Sequence, residues 1–367
     1  GNGYVDDVQG WNSLLDTGVI TSRTHGTMVS GIVSAKGNNS LGVAGVNWGM
    51  DVLPIQGSSG VESDLIKAYG YALDMRIIYD TTNGVKGAFV VVTNSSFGID
   101  AVSASGYPIW CALYDSLGIY GILSVAATSN SNNNVDVVGD MPTTCISEYL
   151  ITVTNTTNND LKATAGFGAI SIDVGAPGFV TSTRPNNGYN TDNGTSFSTP
   201  HVSGAVGFMY AAVCENFMIN YNTNPSAYAL LIKNAILTKG DSLPALLGLT
   251  SAATRLNLYK TALYLSTEDA CASIGLETLE PENLKLKLYP NPNFGNFKIS
   301  LQNYEKGNYK YIVYSVLGEI VLTNNIDLNS DNQDIEVDLG LKNSKGMYFV
   351  SLISEKGIKR NGKFIVK

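Results

Sequence analysis

Two rhythms of apolar residues divide this chain. Up to about residue 265, apolar positions come in unbroken runs or at helical spacing. Residues 50–55, 88–93, 121–127 and 149–154 are short, nearly continuous apolar stretches, the pattern of strands covered on both faces. Residues 25–36, 62–80, 108–118 and 225–238 instead carry apolar residues three and four apart. Leu65, Ile66, Tyr69, Ala72 and Leu73 form one such stripe, which predicts an amphipathic helix. A further helix is predicted from about residue 195 to Phe217, with short strands at 171–174 and 179–182. Residues 1–24 read as polar loop. Alternating strands and helices predict an α/β fold with a doubly wound parallel sheet. From residue 286 the period becomes two. Phe297, Ile299 and Leu301 alternate, as do Tyr309, Tyr311 and Val313, then Ile335, Val337 and Leu339, then Tyr348, Val350 and Leu352. Gly- and Asn-containing turns separate them, which predicts a small all-β sandwich of about seven strands. Residues 266–285 cluster Glu268, Asp269, Glu277, Glu280 and Glu282 around Pro281 and read as a linker. The expected organisation is therefore 1–265, a linker over 266–285, and 286–367.

Charge sharpens that division. The net charge of −8 hides 12 basic and 8 acidic residues over 285–367, against 11 and 23 in the remainder. Two modules of opposite sign are expected, and the acidic front module argues against nucleic acid as a partner. The chain begins at Gly1 rather than Met, shows no charged-then-apolar leader, and has no apolar run long enough to cross a bilayer. A processed chain or a fragment is expected. The four cysteines, Cys111, Cys145, Cys214 and Cys271, form no Cys-x-x-Cys pair, so a zinc cluster is not expected. They allow three pairings. Cys111–Cys145 and Cys214–Cys271 are favoured because each closes a local loop, with buried free thiols as the alternative. Each bond would contribute about 3–4 kcal/mol and imply an oxidising, extracytoplasmic compartment.

The candidate chemistry lies in the run from Gly194 to Gly204. Gly194 allows a tight turn, and Ser196 then sits at the mouth of a helix, where free N–H groups point outward. Val202, Ala205 and Val206 give that helix a buried face. A hydroxyl held beside such donors suits nucleophilic catalysis, whereas a plain helix cap is the simpler role for it. Serine attack needs a base, and the chain has two histidines. His201 lies five residues beyond Ser196 on the same helix and points about 140° away, so it reads as a packed helix histidine. His25 opens a separate helix and is the candidate base.

Gly194-Thr195-Ser196-Phe197-Ser198-Thr199-Pro200-His201-Val202-Ser203-Gly204 resembles the nucleophile motif of the subtilisin-like serine peptidases (subtilases), Gly-Thr-Ser-x-x-Thr-Pro-His-x-x-Gly. His25-Gly26-Thr27-Met28-Val29-Ser30-Gly31 resembles that family's catalytic-histidine motif. The resemblance covers roughly residues 1–260 and implies an acyl-enzyme endopeptidase with Ser196 as nucleophile and His25 as base. The strand ending Ala126-Ala127-Thr128-Ser129-Asn130 resembles the segment that ends in the oxyanion asparagine, which implies Asn130 as a donor. Thr128-Ser129 stand where Ala-Gly is usual, and they narrow the pocket for the substrate residue before the cleaved bond. Ser95-Ser96-Phe97-Gly98 resembles the edge that binds substrate backbone by strand addition. Ser96, Phe97, Gly98, Ala127 and Thr128 are thus the implied substrate-binding residues.

The family's catalytic Asp closes a first strand upstream of the histidine, in an apolar run ending Asp-Ser/Thr-Gly. No such run exists here. Asp6, Asp7 and Asp16 lie in polar loops, and Asp173 follows the histidine at what looks like a structural position. A subtilisin-like sheet with its first strand and catalytic Asp missing is therefore expected, with activity lower by about 10⁴-fold. The alternative is a non-catalytic surface binding or adhesion protein on a decayed subtilase domain. No cofactor is implied. Structural calcium often stabilises the family, but no loop here has a persuasive ligand pattern, and Asp6-Asp7 reads as solvated surface. Tyr289-Pro290-Asn291-Pro292, Gly346-Met347-Tyr348 and the closing Gly362-Lys363-Phe364-Ile365-Val366-Lys367 resemble the C-terminal sorting domain of the type IX (Por) secretion system. That implies a protein exported by the secretion machinery to the exterior or cell surface, acting on protein or peptide substrates.

Overall fold

A computed structural model describes residues 2–58, 60–267, 286–302, 304–315, 320–330, 332–340, 345–355 and 359–367. The chain divides into two compact units, Gly1–Ile274 and Gly275–Lys367. The linker expected over 266–285 lies, from residue 268 onward, outside the described residues.

The first unit runs β1 (Trp11–Asn12), α1 (Thr24–Ser34), β2 (Ile55–Gln56), α2 (Glu62–Thr81), β3 (Val92–Ser95), β4 (Ile99–Asp100), α3 (Pro108–Ile119), β5 (Leu123–Ala127), α4 (Val135–Val138), β6 (Asp140–Met141), β7 (Leu150–Thr156), β8 (Val174–Pro177), β9 (Phe179–Arg184), β10 (Gly188–Asn193), α5 (Thr195–Ala212), α6 (Glu215–Thr223), α7 (Pro225–Thr238), β11 (Asp241–Ser242), β12 (Thr254–Arg255) and α8 (Leu258–Thr267). Its main sheet has the order β11-β12-β8-β7-β5-β3. All neighbours are parallel except β11 with β12. A separate parallel pair joins β1 to β2.

The unbroken apolar strands are explained by cover on both faces. Leu123 and Val125 of β5 pack with Ile151 and Val153 against Val202, Val206 and Met209 of α5 and against α7. Ala126 points the other way, with Ile122 and Leu150, into a second core built by Leu65 and Tyr69 of α2 and Trp110, Tyr114 and Leu117 of α3. This is the expected doubly wound arrangement, in which alternate positions of one strand serve two helical layers.

Several predicted boundaries shift for local reasons. The 50–55 run pairs only at Ile55–Gln56, and β1 emerges from the segment read as loop, with Trp11 N–H donating to the Pro54 carbonyl at 3.1 Å. The strand predicted at 171–174 becomes β8 at 174–177. Ser171 N–H donates instead to Asp136 Oδ1, Ile172 N–H to Gly168 O, and Asp173 N–H to the Thr152 carbonyl and hydroxyl, so residues 171–173 are held by scattered bonds before the ladder starts. The helix that carries Ser196 ends at Ala212 rather than near Phe217, and α6 follows as a separate helix. Asp7 is not simply solvated, since its carboxylate accepts from Asn2 and from the Tyr71 hydroxyl. Cys111 and Cys145 form a disulfide between α3 and the chain after β6. The favoured Cys214–Cys271 pair involves Cys271, which lies outside the described residues.

The second unit contains β13 (Lys287–Tyr289), β14 (Asn296–Gln302), β15 (Gly307–Ser315), β16 (Ile320–Leu328), β17 (Asn332–Asp338), β18 (Gly346–Ser354) and β19 (Lys359–Val366). They form two antiparallel sheets, β13-β14-β17 and β16-β15-β18-β19. The alternating residues read from the sequence, among them Phe297, Ile299, Val313, Val337 and Val350, meet in one core between them. The result is a sandwich that leaves the polar positions of each strand outward.

Candidate active site

Ser196 is the second residue of α5, behind Gly194. Helical bonding starts with Phe197 and Ser198, whose N–H groups both donate to the Gly194 carbonyl. Among the described residues the Ser196 N–H therefore has no acceptor, as the geometry of a helix N-terminus requires. Pro200 lies in the second turn of α5. A proline there deprives the carbonyl four residues back, that of Ser196, of its helical donor. The Ser96 hydroxyl takes that place, donating to Ser196 O at 2.7 Å. The Ser196 hydroxyl donates in return to Ser96 O at 3.2 Å.

Asn130 stands just past the end of β5, and its carboxamide has a fixed sense. Oδ1 accepts the Thr195 N–H at 3.0 Å, and the Thr195 hydroxyl, whose proton goes to Thr128 O at 2.6 Å, stands 3.1 Å from it. The Nδ2 group thereby faces away from Thr195 and stays free among the described residues. A side chain at Gly194 would put its Cβ 3.0 Å from Asn130 Oδ1, so glycine permits this approach. Two donors, Ser196 N–H and Asn130 Nδ2, are thus unpaired among the described residues, and Asn130 is bonded to Thr195, the residue before Ser196.

His25 opens α1, which packs against α5, and its ring lies 5.7 Å from that of Phe197. Partial burial lowers its pKa from the usual histidine value, and the Asp192 carboxylate acts in the opposite direction. Asp192 ends β10. The β9–β10 hairpin that carries it is tied to α1 by the Ser182 and Thr183 hydroxyls, which donate to the Met28 and Thr27 carbonyls. Among the described residues neither ring nitrogen of His25 has a hydrogen-bond partner. His201 is the packed helix histidine that its spacing predicts, with Nδ1 2.8 Å from Phe197 O in its own helix.

Ser96 is buried, and Phe97 and Gly98 fall between the β3 and β4 ladders, outside both. A Cβ on Gly98 would lie 2.3 Å from Met141 O, so the return of the chain through β6 requires glycine. Ala127 and Thr128 are buried at the end of β5. The other carboxylates weighed from the sequence are engaged elsewhere. Asp16 lies 3.6 Å from Lys67. Asp173 accepts from Thr152 N–H and the Ser251 hydroxyl beside Lys233. Among the described residues no group of three or more His, Cys, Asp or Glu side chains is arranged to hold a metal. No single described helix is long and apolar enough to cross a membrane.

Residues 1–258 match the profile of the Subtilase family, peptidase S8. The chain belongs to the subtilase family. Residues 287–367 match the secretion system C-terminal sorting domain, so this subtilase is a secreted or cell-surface protein. It is 28% identical over 227 residues to subtilisin-like protease 1 of Plasmodium berghei, covering 55% of this chain and 35% of that protein. An extracellular protease of Xanthomonas campestris is 29% identical over 230 residues, covering 58% and 36%. Alkaline elastase YaB of a Bacillus strain is 34% identical over 187 residues, covering 49% and 43%. The chain thus spans about a third to two fifths of the length of these relatives. A solved structure from the subtilase cytotoxin SubAB assembly superposes with a TM-score of 0.51 at 22% identity, over 65% of this chain and 75% of that one, a likeness of fold.

Sequence reasoning missed two features of the site. One is the Ser96 hydroxyl standing in for the donor that Pro200 lacks, which Thr199-Pro200 could have signalled. The other is Asp140, whose sequence neighbours carry no motif.

Proposed function

We propose that this protein is a secreted serine endopeptidase that cleaves peptide bonds of extracellular proteins through an acyl-enzyme. Ser196 is the nucleophile and His25 its base. Ser196 N–H and Asn130 Nδ2 stabilise the oxyanion. Ser96, Phe97 and Gly98 receive substrate as an added strand, and Ala127 and Thr128 line the pocket for the residue before the cleaved bond. The observation that supports this reading best is that Ser196 N–H and Asn130 Nδ2 are both unengaged among the described residues, with Asn130 held by the N–H of Thr195, the residue before Ser196, so that its N–H group and not its oxygen is on offer. The lowered pKa of His25 supports it, because a neutral imidazole can accept the serine proton at neutral pH.

Among the described residues no carboxylate is hydrogen-bonded to His25: Asp7 and Asp173 are bonded elsewhere, and Asp192 acts on the ring only through its charge. The unpartnered His25 ring also favours the second reading, a binding or adhesion protein on a decayed peptidase domain. Covalent labelling by a serine-directed fluorophosphonate separates the two. The peptidase is labelled, and Ser196→Ala is not. An unlabelled wild-type protein rejects the peptidase.

A further inference from the structure

Asp140 has no role in the reading above, yet it is one of the most buried carboxylates in the molecule, at 1% exposure. Its Oδ2 gathers three donors. The Thr128 hydroxyl approaches to 2.9 Å, the Ser129 N–H to 3.2 Å and the Thr143 hydroxyl to 2.5 Å. Oδ1 accepts no hydrogen bond among the described residues. The first two donors belong to the end of β5, immediately before Asn130. That strand end has a second tether, since Thr128 O accepts the Thr195 hydroxyl at 2.6 Å. Asp140 thus grips one side of the segment whose other side is fixed to α5.

The grip has a firm base. β6 pairs with β4, setting Asp140 opposite Asp100 just past the Ser96–Gly98 edge. The Thr144 N–H and hydroxyl both donate to Asp140 O, and Cys145 N–H donates to Pro142 O, which folds residues 140–145 into a tight turn. The Cys111–Cys145 disulfide then binds that turn to α3.

We propose that Asp140 is a positioning residue, whose buried carboxylate holds Thr128 and Ser129 so that Asn130 presents its Nδ2 to the oxyanion site. The proposal rests on Asn130 being an oxyanion donor. An ionised acceptor makes bonds roughly twice as strong as a neutral one. Burial raises the Asp140 pKa to about 6, with the three donors opposing that rise and the Asp100 carboxylate adding to it. Asp100 is the titratable group that acts on it from the packed elements. With the carboxyl kept buried, its hydrogen bonds favour the ionised form, so this local grip is tighter at pH 7.5 than at pH 5 even though ionisation lowers the stability of the whole fold.

Hydrogen exchange of the full chain tests the grip without any activity. Protection of the peptide spanning residues 128–130, corrected for intrinsic exchange, should fall about 10-fold from pH 7.5 to pH 5 in the wild type. Asp140→Asn keeps an acceptor oxygen but cannot titrate, so its protection should be flat across that range. Asp140→Ala should be unprotected throughout, with fluorophosphonate labelling slowed by about 10- to 100-fold. Equal wild-type protection at both pH values, or the same pH dependence in Asp140→Asn, overturns the proposal. So does a wild-type level of labelling in Asp140→Ala. If the wild type takes no label at any pH, the peptidase reading fails, and the exchange arms still decide whether Asp140 holds the strand end.

Discussion

Ser96 and Ser196 exchange hydrogen bonds, each hydroxyl donating to the other's carbonyl, at 2.7 and 3.2 Å. Pro200 explains the first of these bonds. It removes the helical N–H that the Ser196 carbonyl would otherwise accept, and the strand edge after β3 supplies a hydroxyl in its place. The nucleophile candidate is thus tied to the strand edge after β3 through a gap that the helix sequence itself opens.

Ser96→Ala should therefore leave Ser196 O without a donor and destabilise the protein by about 1–3 kcal/mol. Pro200→Ala restores a helical N–H, so the double variant should lose less than the two single variants predict. Urea unfolding of the four proteins measures this coupling. Strict additivity would show that Ser96 does not substitute for the missing donor.

Asn130→Asp retains an acceptor for the Thr195 N–H but removes the Nδ2 donor. Peptidase turnover and fluorophosphonate labelling should fall by about 100- to 1000-fold, with little change in the unfolding midpoint. Unchanged labelling would exclude Asn130 as an oxyanion donor.

The labelling rate should rise with pH as His25 loses its proton and level off at a midpoint below the usual 6.5. Asp192→Asn removes the negative charge that favours the imidazolium, so the midpoint should move lower still. A stopped-time labelling series from pH 4.5 to pH 8 reads both. A midpoint above 6.5, or an upward move in Asp192→Asn, contradicts the electrostatics described for this ring.

Asp140 binds its proton more tightly folded, at about 6, than in an unfolded chain, near 3.8. Its contribution to stability is complete below pH 4 and is lost as pH rises through 6. Relative to the wild type, Asp140→Asn should gain about 3 kcal/mol of stability between pH 4 and pH 7. Denaturant titrations at the two pH values check the sign, and a gain in the other direction would mean the carboxylate is stabilised, not strained, by its burial.

Breaking the Cys111–Cys145 bond, which spans a sequence separation of 34 residues, should cost about 3–4 kcal/mol. Replacing both cysteines by serine and following guanidinium unfolding gives the value. A loss well under 1 kcal/mol would indicate that the turn at residues 140–145 is held by its hydrogen bonds alone.

The sequence by itself determined the fold class, an α/β module followed by an all-β one, and it singled out the serine, histidine and asparagine as candidates. These are properties of short windows. A strand buried on both faces has no room for polar residues, a sandwich strand must alternate, and a glycine turn into a helix leaves its mark over eleven positions from Gly194 to Gly204. Even the Cys111–Cys145 pair was readable from loop length. The tertiary structure alone decided how these groups are aimed. Nothing near Asn130 in the chain reveals that Thr195 takes its oxygen and leaves its nitrogen free. The Ser96 hydroxyl meets the carbonyl orphaned by Pro200 across a hundred residues. Asp140 lies in a segment without a motif, and it acquires meaning only because β6 returns beside β4 and places its carboxylate under the end of β5. Hydrogen bonds between segments distant in sequence depend on direction to within a few tenths of an ångström, and that information exists only once the sheet and its helices have packed.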